Sequence, residues 1–158
     1  MSMLSFHKIG FSLVALMLVF ISSCKTVEKD CLSAGYENIR IEWGYLTKAN
    51  QSEYYSLNSK SEIKQFVSDD LHQTVVDSFM INKNDMCHLI NKTSALFLKV
   101  QTLNVPADSN NYITLYNNKT RVVLRALWNP VHDNLGNKEF KALYQELMTY
   151  ILNQENRK

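Results

Sequence analysis

Cys87 and His88 stand side by side, and a thiol next to an imidazole is the simplest pairing from which a cysteine nucleophile could be built. Such chemistry needs the base within hydrogen-bond reach of the sulfur. Neighbouring residues on a helix point about 100° apart, so His88 is badly placed to serve Cys87. His72 or His132 would have to be brought there by the fold. The bland alternatives for Cys87 are a core thiol or one half of a disulfide.

Other residues of chemical interest are scattered. His72, His132 and Asp133, with Asp69, Asp70 and Asp85, are metal-ligand types, but none shows HExxH, CxxC or EF-hand spacing. The densest set, Asp69-Asp70-Leu71-His72, reads as a solvated loop. No metal and no cofactor is expected. Only four glycines occur, and none sets up a Gly-x-Ser-x-Gly elbow or a phosphate-cradling loop. Ser56 and Lys60 are four apart rather than in a Ser-x-x-Lys pair. The chain holds eight Tyr and seven Phe, most of them expected to face the helices as core, while any exposed cluster would be a binding surface. Tyr54 and Tyr55 are its candidates, and since strand neighbours face opposite ways, only one of them can be on any given surface.

These residues need elements to hold them. Ile39, Ile41, Trp43 and Tyr45 alternate with Arg40, Glu42 and Gly44, a period of two that predicts a half-buried strand with its apolar parity toward the core. Glu53–Leu57 and Glu62–Val67 flank Asn58-Ser59-Lys60-Ser61 and predict a hairpin. Thr74–Ile81 predicts a further strand, with Asp77 arguing against a central place in a sheet. Asn82 to Asp85 offers N-cap candidates. Met86, Leu89, Ile90, Thr93 and Phe97 then follow helical spacing, in a helix ending before Pro106.

Tyr112–Tyr116 and Thr120–Trp128 flank Asn117-Asn118-Lys119 and predict a second hairpin, in which Asn supplies the positive φ of a tight turn. A last helix, with Asn137 as its cap candidate, places Phe140, Leu143, Tyr144, Leu147 and Ile151 on one face. The element order is β-β-β-β-α-β-β-α. Hairpins without a βαβ rhythm predict an α+β domain, an antiparallel sheet of about five to six strands with two helices packed on one face.

The N-terminus carries an address. Lys8 closes a short n-region, Ile9 to Phe20 is an apolar run, and Ile21-Ser22-Ser23-Cys24 follows. The run is shorter than the ~20 residues of a spanning helix, which marks a targeting segment rather than a membrane span. The tetrapeptide resembles the lipobox of bacterial lipoproteins: a branched apolar residue, two small residues and the thiol that takes the diacylglycerol. The resemblance implies a signal peptide over 1–23 and acylation of Cys24 by chains such as palmitate. Residues 25–35 are polar and unpatterned, as a lipidated tether over 24–35 would be, and the remaining length suits one domain, expected over 36–154. Lys25 stands where an inner-membrane retention signal would have Asp, which favours the outer membrane, facing periplasm or exterior. In element order the mature part also resembles small uncharacterised envelope lipoproteins of Gram-negative bacteria.

The charge balance agrees with that setting. The formal net charge is +2, and removing 1–23 takes Lys8 and no acid, so the mature part is close to neutral. A nucleic-acid partner is therefore not expected. Outside the inner membrane disulfides persist. Once Cys24 is acylated, Cys31 and Cys87 are the remaining thiols, either paired in a bridge or left as an exposed Cys31 and a buried free Cys87. With no strong catalytic pattern, the expected role is a non-catalytic accessory, inhibitor or immunity-type domain, tied to membrane lipid through Cys24 and acting on a protein partner. The alternative is a small envelope hydrolase of cell-wall or peptide substrates using residues among His72, His88, His132 and the nearby acids.

Overall fold

The computed structural model describes residues 36–47, 52–68, 72–132 and 136–156. The residues expected to form a lipobox and tether, Cys24 and Cys31 among them, and Asp69, Asp70 and Asp133 lie outside the described residues. After a 3-10 turn (Tyr36–Asn38) come four strands, β1 (Ile39–Thr47), β2 (Ser52–Leu57), β3 (Glu62–Ser68) and β4 (Gln73–Met80), then helix α1 (Lys83–Lys99). Strands β5 (Leu103–Val105), β6 (Ser109–Asn117) and β7 (Val122–Trp128) lead to helix α2 (Lys138–Glu155). One sheet of seven strands results, in the order β4-β3-β2-β1-β6-β7-β5.

The class is α+β, as the hairpin pattern predicts, with one strand more than expected. That strand, β5, spans three residues and lies parallel to β7. It is too short for an alternating pattern to mark, and its pairing depends on a partner far along the chain. All the other strand pairs are antiparallel. β4 takes the opposite edge, where Asp77 and a register shift at Gln65/Phe66 interrupt a strand that otherwise exposes Val75, Val76 and Met80. Charges and bulges at an edge discourage a further strand from adding there.

Register puts the apolar parity of every central strand on one face. Trp43 sits opposite Tyr55 on one side and Ile113 on the other, and Ile41 sits between Leu57 and Leu115. These residues join Met86, Leu89, Ile90 and Phe97 of α1 and Phe140, Leu143, Leu147 and Ile151 of α2 in a single cluster, so both helices cover that face. Aromatic contacts knit the layers: Trp43 stacks on Tyr55 with centroids 5.7 Å apart, and Phe97 packs on Phe140 at 5.2 Å. Tyr144 meets Trp128 edge-on at 5.8 Å. The five buried residues of α1 are the five that its spacing singles out.

The helix ends follow two different rules. Asn82 caps α1, its Oδ1 accepting the Asp85 backbone N–H at 2.8 Å while its Nδ2 donates to the Asp85 carboxylate. Asn137 occupies the corresponding place before α2, but its side chain does not cap the helix. Instead its Nδ2 donates to the His132 carbonyl at 2.8 Å. It is buried there, tying the preceding loop to the helix start.

Both long hairpins share one turn design. Asn58 Oδ1 accepts from the Lys60 and Glu62 backbone, and Asn117 Oδ1 accepts from Lys119 and Thr120. The positive φ falls later in each turn than the asparagines, at Ser61 (65°) and Arg121 (58°). The second hairpin thus uses Asn as a side-chain acceptor, and not for its tolerance of the left-handed region as expected. Arg121 is exposed and its Cβ strains against that backbone. Arg121→Gly should therefore stabilise the domain by about 0.5–1 kcal/mol, read as a higher urea midpoint with unchanged m-value.

Candidate functional site

The second face of the sheet carries the other parity, and among the described residues no helix packs on it. Starting from β1, the alternation that buries Ile41 and Trp43 points Arg40, Glu42 and Gly44 to this side. Register then adds Tyr54 and Ser56 from β2, Lys64 and Phe66 from β3, Tyr112, Thr114 and Tyr116 from β6, and Val123, Arg125 and Leu127 from β7. An aromatic surface edged by arginines is the outcome.

Its centre is organised around Gly44, which lies between Tyr54 on β2 and Tyr112 on β6. On the β2 side Tyr54 and Phe66 stack nearly parallel, with centroids 4.8 Å apart and planes at 9°. Gln73 Nε2 donates to the Tyr54 hydroxyl and ties this pair to the edge strand. On the β6 side each tyrosine lies beneath a guanidinium: Arg40 is 4.3 Å from the Tyr116 centroid and Arg125 4.9 Å from that of Tyr112. Tyr112 is 7% exposed although it faces away from the helices, with the Arg125 guanidinium over its ring.

Electrostatics keep these phenols neutral. Burial, reinforced by a hydrogen bond to Glu42 and its charge, pushes Tyr116 up to about 12. Burial and then Glu42 also raise Tyr54, and burial raises Tyr112 further. Glu42 is held by Arg40 at 3.2 Å. The face thus carries neutral phenol rings, arginine side chains and flat aromatic area, which suits recognition of another surface.

The sequence candidates land in different places. Tyr54 is on the uncovered face, whereas Tyr55 is turned into the core at 6% exposure, with its hydroxyl donating to Glu53. Tyr55 is thus withdrawn from the surface because β2 pairs it opposite Trp43. Cys87 is disulfide-bonded, with its partner outside the described residues. A bonded sulfur has no thiolate to offer. His88 points instead to α2, where it and Lys92 both bind Glu146, His88 Nε2 at 2.9 Å from Glu146 Oε1. Burial would raise the Glu146 carboxyl, but the hydrogen bonds from Lys92 and His88 prevail and hold it below its usual range.

His72 precedes β4 and His132 follows β7, so the three histidines sit on separate elements. Among the described residues no three His, Cys, Asp or Glu side chains come together to hold a metal. Also among the described residues, no helix is long and apolar enough to cross a membrane.

Among the described residues, two of the hollows flank the sheet. One, of about 310 Å³, lies where β4, α1 and α2 meet, lined by Met80, Asn82, Asp85 and Tyr150 among others. Asp85 is engaged there with both Asn82 and Tyr150. The other, of about 400 Å³, lies at the β5–β7 end and is lined by Thr102, Leu103, Asn104, Arg125 and Leu127. Arg40, Phe66, Tyr112, Tyr116 and Arg125 were not marked as site residues by sequence. Their strand parity, opposite to Ile113 and Leu115 or to Ile41, was the available signal. Compared with known proteins, the chain matches no family model and no curated protein.

Proposed function

We propose that this chain is a lipid-anchored, non-catalytic binding protein of the bacterial envelope, whose uncovered sheet face docks a protein partner. The observation that carries the reading is the grouping of Tyr54, Phe66, Tyr112 and Tyr116 with Arg40 and Arg125 on a face where, among the described residues, no helix packs. Tyrosine and arginine are the side chains that most often supply binding hot spots, because they combine large area, few rotors and directional donors. Pre-stacked pairs lose little further entropy on docking. The residues that resemble a lipobox supply the address. Acylation at Cys24, with Lys25 after it, would hold the domain on the outer membrane.

Site-specific photocrosslinking tests the docking face. A benzoylphenylalanine placed at Tyr54 or Phe66 in the full-length chain should give a discrete protein adduct in native membranes. The same probe at Gln145, exposed on the outer side of α2, should give none. Equal adducts from all three positions, or adducts from Gln145 alone, would remove the uncovered face as the docking surface.

A further inference from the structure

We infer that the hollow at the β5–β7 end is a carboxylate pocket, which receives an acidic group of a peptide segment from the protein partner. Four observations converge on it. First, Arg125 lines the hollow and has no carboxylate partner among the described residues, in contrast to Arg40 with Glu42 and Lys64 with Glu62. Second, the Tyr112 ring beneath the guanidinium at 4.9 Å holds it in place while leaving its N–H donors unspent. A planar fork fixed in this way is pre-organised for a carboxylate, which it can bind through two parallel hydrogen bonds.

Third, Thr102 and Asn104 line the same hollow, and neither side chain has another partner among the described residues. A hydroxyl and an amide supply further donors around an anion. Fourth, Leu103 and Leu127 complete the lining with apolar surface. That mixture favours a peptide over a lipid headgroup. Attraction to an anionic bilayer takes several basic residues together, and among the described residues Arg125 is the cation lining this hollow. β5 also ends the sheet order, so among the described residues no strand lies along its outer edge. An extended peptide beside β5 would bring an acidic side chain, or its own C-terminus, to Arg125.

The inference rests on the docking role proposed above for its biological use, and on its own geometry for the binding chemistry. Its test uses three tetrapeptides and the full-length chain in uncharged detergent. One peptide is capped at both ends and finishes in Glu, the second is its Gln counterpart, and the third is apolar with a free C-terminal carboxylate. Backbone amide and arginine Nε–H resonances are followed on titration.

A carboxylate pocket gives saturable shifts confined to Thr102, Asn104 and Arg125. The Gln peptide binds about tenfold more weakly than its Glu parent, and Arg125→Gln causes a similar loss. Tighter binding of the capped Glu peptide identifies a side chain as the natural group, and tighter binding of the third identifies a chain end. Arg125→Gln alters an exposed side chain, so unchanged amide shifts elsewhere show that the variant is folded. Shifts spread over exposed Lys and Arg, or equal for wild type and Arg125→Gln, overturn the pocket. Peptide binding at Arg125 without crosslinks from Tyr54 would leave the pocket standing and remove the docking face. The reverse result would remove the pocket alone.

Discussion

Gly44→Ala is expected to destabilise the domain by about 3 kcal/mol, against the usual direction for glycine in a strand. In an ordinary strand, alanine would gain about 0.5–1 kcal/mol by restricting the unfolded chain. Here a Cβ on residue 44 would stand 2.3 Å from the Glu53 carbonyl oxygen and 2.7 Å from the Tyr54 Cα. Both are backbone atoms of the neighbouring strand, so no side-chain rotation relieves the overlap. β1 and β2 would have to separate, which spends sheet hydrogen bonds and strains the core beneath, where Trp43 faces Tyr55. Overpacking in such places costs roughly 1–3 kcal/mol, and backbone displacement puts this site at the upper end.

Urea denaturation of the full-length chain in uncharged detergent measures the effect directly. Gly44→Ser should be no milder than alanine, since it adds the same Cβ. A midpoint for Gly44→Ala equal to or above wild type would show that the two strands have room for a side chain. Because Tyr54 is the residue displaced, the stack of Tyr54 on Phe66 should loosen too. Crosslinking from residue 66 should then fall even where the variant remains folded.

Breaking the disulfide at Cys87 should have the second large effect. Cys87 is bonded, and if Cys24 carries lipid then Cys31 is the thiol left to bond it. Closing the chain from Cys31 to Cys87 restricts a long loop of the unfolded state, worth on the order of 4 kcal/mol in the chain-entropy account. Cys87→Ser and Cys31→Ser should each lower stability by a similar amount. The double variant should lose no more than either single one, because both remove the same bond. Cys24→Ser should leave stability unaltered while releasing the chain from the membrane.

Reading all four variants side by side separates two questions. Matching losses for Cys31 and Cys87, with intact acylation at Cys24, support the pairing and the address together. A loss at Cys24→Ser that equals the loss at Cys87→Ser would mean that Cys24 is the bonded sulfur. That result would remove the lipid anchor along with the expected pairing. Non-reducing peptide mapping gives an independent answer by mass.

Much of the architecture is written locally. The five residues that α1 buries are fixed by helical spacing, and the four fully apolar contacts of α2 follow the same rule. Alternation in β1 foretells that Ile41 and Trp43 enter the core, and Asp77 foretells that β4 lies at an edge. Where a three-residue strand such as β5 carries no period, the pattern fails. Turn chemistry was partly readable: the asparagines marked both hairpins, but the left-handed residues were Ser61 and Arg121. The choice between them depends on how the strands register, which the dipeptide cannot express.

For the candidate site the division is sharper. Opposed parity of Tyr54 and Tyr55 already required that they part, and register with Trp43 decided that Tyr55 is the buried one. Nothing local says that Tyr112 and Tyr116 belong with Tyr54. They meet because β1 takes β2 on one side and β6 on the other, elements far apart along the chain. Likewise Arg125 reaches the ring of Tyr112 only because β7 pairs with β6, and shares a hollow with Thr102 and Asn104 only because β5 lies parallel to β7. The sequence by itself determined the elements, their buried sides and the residues that resemble a lipobox, since periodicity and short motifs act over a few neighbouring residues. The tertiary structure alone decided which strands adjoin, and hence which aromatics and arginines share the uncovered face. Pairing and register are settled by burial summed over the whole sheet, not by any one segment.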